Sequence, residues 1–490
     1  MRWRFASAVA LCRLLASCTV PTVDELAMQQ PRACTEARPC GPGYACTAGL
    51  CERLETCVAD AQRSCGSSVG ECRRGQQTCV EGSWGPCDGA IGPAPERCDG
   101  KDNDCDGRVD QWAPVNVSTS PATVSRRGSA QAVGNGAVLV MYEEGGRVVS
   151  RVVGAADELS APVAPSVTVE LSTRSEAPVL AADGTVFAAA WVEEVAGTRR
   201  VMLATLDERG RSKLSSGGTS AIAVNVTQVL AVTGLALSID AAAGLITVAL
   251  VDAGQLSLWQ YPTTLPSPPR TLRRSLASNV RSAGLASAGA GAVWLSFSTT
   301  ASVAKRCLVR GGSLACAKDL AATAVAMRGA GGLDAYAYAP QVDDAGAMVV
   351  ATRCAAEPRP DAGTPADGGV GAGDGGTDGG VSDDGTLDCA APMRVPDTSG
   401  PGRIEELVVP GTAGKEHLLL VVRVSDGQPR VEFSRLSPAP TRVSGGVLEP
   451  GVRPAGALLD ARTTAIVYDS DESRLTTASG EVWLRRVCLE

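Results

Sequence analysis

Residues 96–110 read ERCDGKDNDCDGRVD, with five aspartates, one glutamate and two cysteines in fifteen positions. Carboxylates this close repel one another unless a cation sits among them, and an oxygen-only donor set selects a hard ion. Counted from Asp102, the run D-N-D-C-D-G-R-V-D puts Asp102, Asp104, Asp106 and Asp110 at loop positions one, three, five and nine, with Gly107 at six. That is the opening of an EF-hand-like calcium loop: alternate side chains turn toward one centre, the glycine permits a sharp bend, and the Arg108 carbonyl is placed to add an oxygen. Position twelve is Ala113 and not a bidentate glutamate, so the expected Ca2+ site is weaker, or Asp99 or another residue completes its shell. No apolar helix flanks the loop, which argues against a sensor that opens on binding. The competing reading is a solvated Asp-Gly turn held by Cys98 and Cys105, with no tightly bound ion.

The same residues carry a family resemblance. E-x-C-D-G-x-D-N-D-C-D-G-x-x-D, residues 96–110, is similar to the metal-binding repeat of the MopE type, found in exported and surface proteins of myxobacteria and related bacteria. The likeness is strict over those residues and loose over Cys65–Asp110, and this chain has one copy where such repeats often stand in series. It implies an exported metal-binding module. Copper does not follow, because the one histidine, His417, is far from the loop.

Other chemistry finds little footing. A single histidine excludes an HExxH zinc site, a Ser–His–acid triad would have to use His417, and no GxSxG elbow, P-loop or dinucleotide fingerprint stands between a strand and a helix. A carboxylate-dependent hydrolase is the remaining enzymatic reading, but aromatics make up only 3% of the chain, which leaves few residues for a sugar platform. With a net charge of −8 and no basic stripe, nucleic acid is not an expected partner.

The elements that must position the acidic loop begin with an export signal. In MRWRFASAVALCRLLASC, Arg2 and Arg4 precede an apolar run from Phe5, and small residues lead to Cys18. Leu15-Ala16-Ser17-Cys18 resembles a bacterial lipobox, which implies cleavage before Cys18 and a lipid on its thiol that holds the chain to a membrane, at the bacterial outer membrane or cell surface. Arg13, inside the apolar run, departs from that pattern, and an ordinary secretory signal is the alternative. With residues 1–17 as signal and 18–33 as a tether, Cys12 leaves and Cys18 takes lipid. Sixteen of the 18 cysteines remain, an even number suited to full pairing in an oxidising compartment. Their spacings lack the paired CxxC of a zinc site.

Residues 34–111 form a stem that holds eleven of those sixteen cysteines and too few apolar residues for a core, so its fold must depend on cross-links. Cys34, Cys40, Cys46 and Cys51 suffice for two bridges; the partner of Cys57 is ambiguous. From residue 112 to 490 seven apolar strand cores recur: 138–144, 187–193, 246–252, 293–299, 348–354, 418–424 and 464–470. The fold class expected is mainly β, a disulfide-rich N-terminal stem followed by a seven-bladed β-propeller; tandem β-sandwiches are the alternative. In KRCLVRGGSLACAK, a Gly311-Gly312 turn sets Cys307 opposite Cys316 at a non-hydrogen-bonded site, where a bridge can span the strands. Cys354 and Cys389 flank a Gly/Asp/Ala/Pro-rich insert, 355–388, expected to be disordered, and a bridge between them would pinch its base. Cys488 has no local partner, and a bridge from it to a leftover stem cysteine would fasten the stem to the ring. Taken as a whole, the chain reads as a lipid-anchored envelope protein whose calcium-stabilised stem carries a propeller that binds a protein or glycan. A hydrolase or a purely structural component is the alternative.

Overall fold

The computed structural model describes residues 34–488 except 36–39, 41–43, 48, 54–56, 119–124, 164–171, 196, 214–220, 225–227, 266–269, 312, 323–324, 332–333, 344–345, 356–386, 397, 410–416, 437–441, 461 and 471–480. The expected signal, Cys18, the tether and nearly all of the insert lie outside them. Every regular element among the described residues is a strand. The chain divides into two compact units, Met1–Gln111 and Trp112–Glu490.

In the first unit, two small antiparallel sheets are held by disulfides. The hairpin Tyr44–Thr47 and Leu50–Arg53 carries bridges Cys34–Cys46 and Cys40–Cys51. The strands Gln62–Cys65, Gly75–Val80 and Ser83–Trp84 form the second sheet, with Cys57–Cys79 and Cys65–Cys87 across it. Cys57 therefore pairs with Cys79. Buried side chains here include Cys65, Cys72 and Cys79, with Gln77 hydrogen-bonded to Gly85 O and to Arg63. Sulfur takes over much of the role that aliphatic packing has in larger domains.

In the second unit, seven antiparallel sheets form a ring. Each begins with an inner strand: Ser125–Gly134, Ser172–Asp183, Val232–Asp240, Val280–Gly289, Ala326–Gly331, Arg403–Val408 and the second half of the long strand Arg442–Leu458. We number these blades 1 to 7. The first half of Arg442–Leu458 is the outer strand of blade 6, so one continuous strand joins two blades.

The second strand of each blade shows why a ring must form. Ala137–Glu144, Leu245–Asp252, Ala292–Thr299 and Thr463–Ser470 are buried along almost their whole length, on both faces, as a strand packed between two neighbours must be. Alternate residues then serve opposite partners. In blade 1, Leu139 and Met141 pack with Leu180, Phe187 and Trp191 of blade 2, while Val138, Val140 and Tyr142 pack with Ala465, Val467 and Leu484 of blade 7. Equivalent cores join blades 2 and 3, 3 and 4, 4 and 5, 5 and 6, and 6 and 7. Seven cores between seven sheets make a closed circuit, although each individual sheet stays open. This is a seven-bladed β-propeller.

Six of the seven strand cores read from sequence are second strands. The exception is 348–354, which lies in the third strand of blade 5, Gly346–Ala355; the second is Asp334–Asp343. Its sequence, DAYAYAPQVD, contains a proline and charged ends, and therefore makes a weaker apolar run than its neighbour. Cys307–Cys316 and Cys354–Cys389 each bridge directly opposed residues, at Cα separations of 4.0 and 4.1 Å. The Cys307 hairpin has the register expected from its Gly-Gly turn.

Chain connectivity and buried polar groups close the ring between blades 7 and 1. Val115–Asn116 adds an outer strand to Val482–Cys488 of blade 7, and Val117 O then accepts hydrogen bonds from Tyr142 Oη (3.0 Å) and Arg151 Nη1 (2.8 Å) in blade 1. Arg486 of blade 7, its pKa lowered to about 10 by burial, donates to Gly136 O and Gly154 O of blade 1 and pairs with Asp157. Asp469 of blade 7 is fully buried; its Oδ2 accepts from Arg127 N of blade 1 (2.9 Å) and pairs with Arg453 Nη1 (2.8 Å).

Burial pushes the Asp469 carboxyl up to about 6, outweighing the lowering by Arg453 and by the Arg127 and Gly128 amides. The folded state thus holds this proton more tightly than the unfolded chain, whose aspartate titrates near ~3.9. The stabilisation is complete below that value and is lost as pH rises through about 6. Asp469→Asn, which mimics the protonated acid, is therefore expected to melt progressively higher relative to the native chain as pH goes from 4.5 to 7.5. Thermal melts of both proteins across that interval check this, and a difference that does not change with pH would refute it.

Candidate metal centre

The acidic loop follows the second stem sheet and contains little regular structure, so its shape comes from left-handed residues and hydrogen bonds. Gly100, Cys105, Gly107 and Asp110 all have positive φ, at 77°, 64°, 90° and 53°. Three contacts with two neighbouring segments fix the loop. Glu71 N donates to Asp102 O (2.9 Å), Ala94 N donates to Asn103 O (2.9 Å), and the Cys72–Cys105 disulfide ties its middle to the turn at 69–72. Gly70 lies so close that a Cβ there would come within 2.2 Å of Asp102 O and 2.6 Å of its Oδ2. The sequence names Cys98 and Cys105 as the anchors; Cys105 uses Cys72, and Cys98 is also disulfide-bonded.

Three carboxylates converge in this frame. Ligand oxygens of Glu96, Asp102 and Asp104 all lie within 4.8 Å of one another, and Glu96 and Asp102 are each only 6% exposed. One oxygen of Glu96, Oε1, accepts from Asn103 N (2.7 Å) and Asp104 N (2.8 Å). The other, Oε2, is buried and has no hydrogen-bond donor among the described residues. Asp102 accepts from Asp106 N (3.1 Å) and Gly107 N (3.0 Å), and Asp104 Oδ1 from Asp106 N (3.2 Å).

Among the described residues no side-chain cation within this group balances its charges. Lys101 pairs with Glu71 instead, at an exposed position. Two unit negative charges 4.8 Å apart repel by roughly 3–4 kcal/mol at an effective dielectric of ~20, and a buried carboxylate oxygen without a donor adds a desolvation cost. Burial, followed by repulsion from Asp106, Glu96 and Asp102, raises the Asp104 pKa to about 6, against a lowering by the Asp106 amide. A hard cation offsets both the repulsion and the desolvation at once. The all-oxygen donor set therefore fits such an ion, with the unpartnered Glu96 oxygen as the structural sign of it.

Of the six residues expected from sequence, the structure brings Asp102 and Asp104 into this group. Asp99, Asp106, Arg108 and Asp110 lie in the same loop but outside it. Asp110 receives Asp99 N and Gly100 N, Asp106 receives Arg108 N (2.8 Å), and Asp99 receives Lys101 N (3.1 Å). Glu96 was missed because EF-hand numbering starts at Asp102. Its signal was nevertheless present, as the first residue of the E-x-C-D-G motif.

A family model named Cu-binding MopE, described as "Putative metal-binding motif", matches residues 92–111, which span Glu96 and the loop. No curated protein matches the chain. Among solved structures, a protein of unknown function from Dyadobacter fermentans is similar at 10% identity, covering 78% of this chain and 99% of that one with a TM-score of 0.40. The Hadza microbial sialidase Hz136 has 12% identity, coverage of 84% and 81%, and a TM-score of 0.42. A mutant Aleuria aurantia lectin in complex with Fucalpha1-6GlcNAc has 10% identity, coverage of 67% and 95%, and a TM-score of 0.37. The activities named are those proteins' own, and the fold here rests on the seven interblade cores.

Gly70 and the Cys72–Cys105 bridge hold the acidic loop in place and offer no ligand oxygen of their own side chains. Gly70→Ala is expected to weaken divalent-cation affinity tenfold or more, because its methyl group must displace Asp102. Calorimetric titration checks this, with Gly82→Ala, where the added Cβ meets no atom within 4 Å, as the control for backbone strain at positive φ.

Proposed function

We propose that this protein is a cell-envelope lipoprotein in which a calcium-stabilised, disulfide-linked module precedes a β-propeller that serves as a binding scaffold. Residues 1–17 direct export, and lipid on Cys18 anchors the chain. The observation that carries the metal reading is the buried Oε2 of Glu96, which has no hydrogen-bond donor among the described residues, on a carboxylate that groups with those of Asp102 and Asp104. Calcium is favoured because every donor is oxygen, no histidine or thiolate is at hand, and an irregular loop can supply the six to eight ligands that this ion accepts. Every cysteine from Cys34 to Cys488 is disulfide-bonded, which supports an oxidising compartment and leaves no thiolate for a softer metal.

The ring reads as a scaffold and not as a catalyst. On the wall of its central cavity Glu405 is paired with Arg403, Glu406 accepts from Arg453 N, and Asp183 accepts from Ala241 N. These carboxylates are engaged in holding blades and turns, which supports the scaffold reading. Protein or glycan partners would be met by the loops at the ends of the blades.

Melting the native chain in EDTA and then in millimolar Ca2+ tests the metal reading. At a hundredfold excess over Kd a single site adds about 2.7 kcal/mol of stability, so the stem transition is expected to rise with Ca2+ and to rise less with Mg2+. Glu96→Gln is expected to lose most of that rise. An equal response to calcium in the native chain and the Glu96→Gln variant would count against the site. Intact-mass analysis of the mature N-terminus tests anchoring, with acylated Cys18 as the expected first residue.

A further inference from the structure

The inner strands of all seven blades line one cavity along the axis of the ring. Its wider part encloses about 950 Å³ and its narrower part about 430 Å³, each within the usual range of small-molecule sites, ~300–1,000 Å³. The two parts share a waist that is apolar apart from Ser129, made chiefly by Leu180, Leu237, Leu285, Met327, Val408 and Ala455. Among the described residues no aromatic lines either part, which disfavours a stacked sugar or base. Leu237, Leu285 and Val408 are only partly buried, so apolar surface faces the lumen.

Charge is concentrated at the wider end, where the inner strands carry bulges. In blades 1, 4 and 7 the bulge residue is an arginine: Arg127 after Arg126, Arg281 after Val280 and Arg453 after Val452. In two of these blades an acid on the second strand neutralises it, through Arg127–Glu143 (2.9 Å) and Arg453–Asp469 (2.8 Å). In blade 4 the register sets Thr299 and Ser298 where those acids stand, and Ser298 Oγ is engaged with Ser282 Oγ at 2.7 Å. Arg281 is therefore an exposed guanidinium on the cavity wall with no ion pair or hydrogen bond among the described residues. Arg403, the other arginine on that wall, is paired with Glu405.

We propose that the cavity binds a single-chain amphiphile with an anionic head. Arg281 receives the head group, to which a guanidinium can donate two parallel hydrogen bonds, and the apolar chain lies through the Leu180–Met327 waist and removes its exposed surface from water. The inference goes beyond the metal reading and stands on a different unit, so chelation with EDTA is expected to leave it unaffected.

Dodecanoate, kept below its micelle-forming concentration and titrated into the full chain by calorimetry, tests the proposal. The expected result is one saturable site, weakened about tenfold by Arg281→Gln and abolished by Leu237→Trp combined with Leu285→Trp, which obstructs the waist. Dodecanol is expected to bind more weakly and to be indifferent to Arg281→Gln, while acetate does not bind. Arg281 is exposed, so its variant is expected to keep the native melting temperature, which separates lost binding from lost fold. Absence of saturable dodecanoate binding to the native chain, or equal binding by the native chain, the Arg281→Gln variant and the double tryptophan variant, would overturn the proposal.

Discussion

The ring depends on one constraint: the second strand of each blade is apolar on both faces and cannot be satisfied by its own sheet. Val138, Val140 and Tyr142 need one neighbour, and Leu139 and Met141 need another. A linear stack of such blades would leave an apolar face at each end. Closing the stack removes both, and burying each large apolar side chain contributes about 1.5–3 kcal/mol. That gain offsets the entropy of bringing Val115–Asn116 beside Val482–Cys488, from the opposite end of the unit.

Polar side chains then define how the blades meet. Fully buried Asp469 sits between the Arg127 amide and the Arg453 guanidinium, at the seam between blades 7 and 1. Arg423 of blade 6 reaches Ala347 O, Thr398 O and Gly400 O while holding Glu432. Such groups are costly to bury and more costly to strand without partners, so each penalises a blade that slips out of register. The same logic explains blade 4, where hydroxyls replace the acid: Ser282 and Ser298 satisfy each other, and Arg281 is left facing the cavity.

The stem solves its stability problem by another route. With few aliphatic side chains to bury, five bridges within it restrict the unfolded chain, and one of them also organises chemistry. Cys72–Cys105 fixes a loop whose own carboxylates push it apart. Close approach of Gly70 to Asp102 completes the frame, and Glu96 is held in it through the Asn103 and Asp104 amides.

Much of this was legible in the sequence. Continuous apolar runs at blade spacing identified the strands, the Gly311-Gly312 turn fixed the Cys307–Cys316 register, and the dense carboxylates marked the metal loop, because each of these signals is local. In blade 5 the run that stands out in sequence is the third strand, Gly346–Ala355, since the second, DAYAYAPQVD, carries a weaker apolar pattern. The ligand group shows a deeper limit. Loop numbering nominated alternate aspartates, yet side-chain direction in an irregular loop follows from which backbone amides capture each carboxylate, and no spacing rule says which amides those are. Residue type and spacing therefore determined that the chain is built of strands, is cross-linked by disulfides and holds an acidic loop. Tertiary structure alone decided that Glu96 joins Asp102 and Asp104, that Cys72 is the partner of Cys105, and that Arg281 meets no acid among the described residues, because each is a relation between groups that only folding brings within reach.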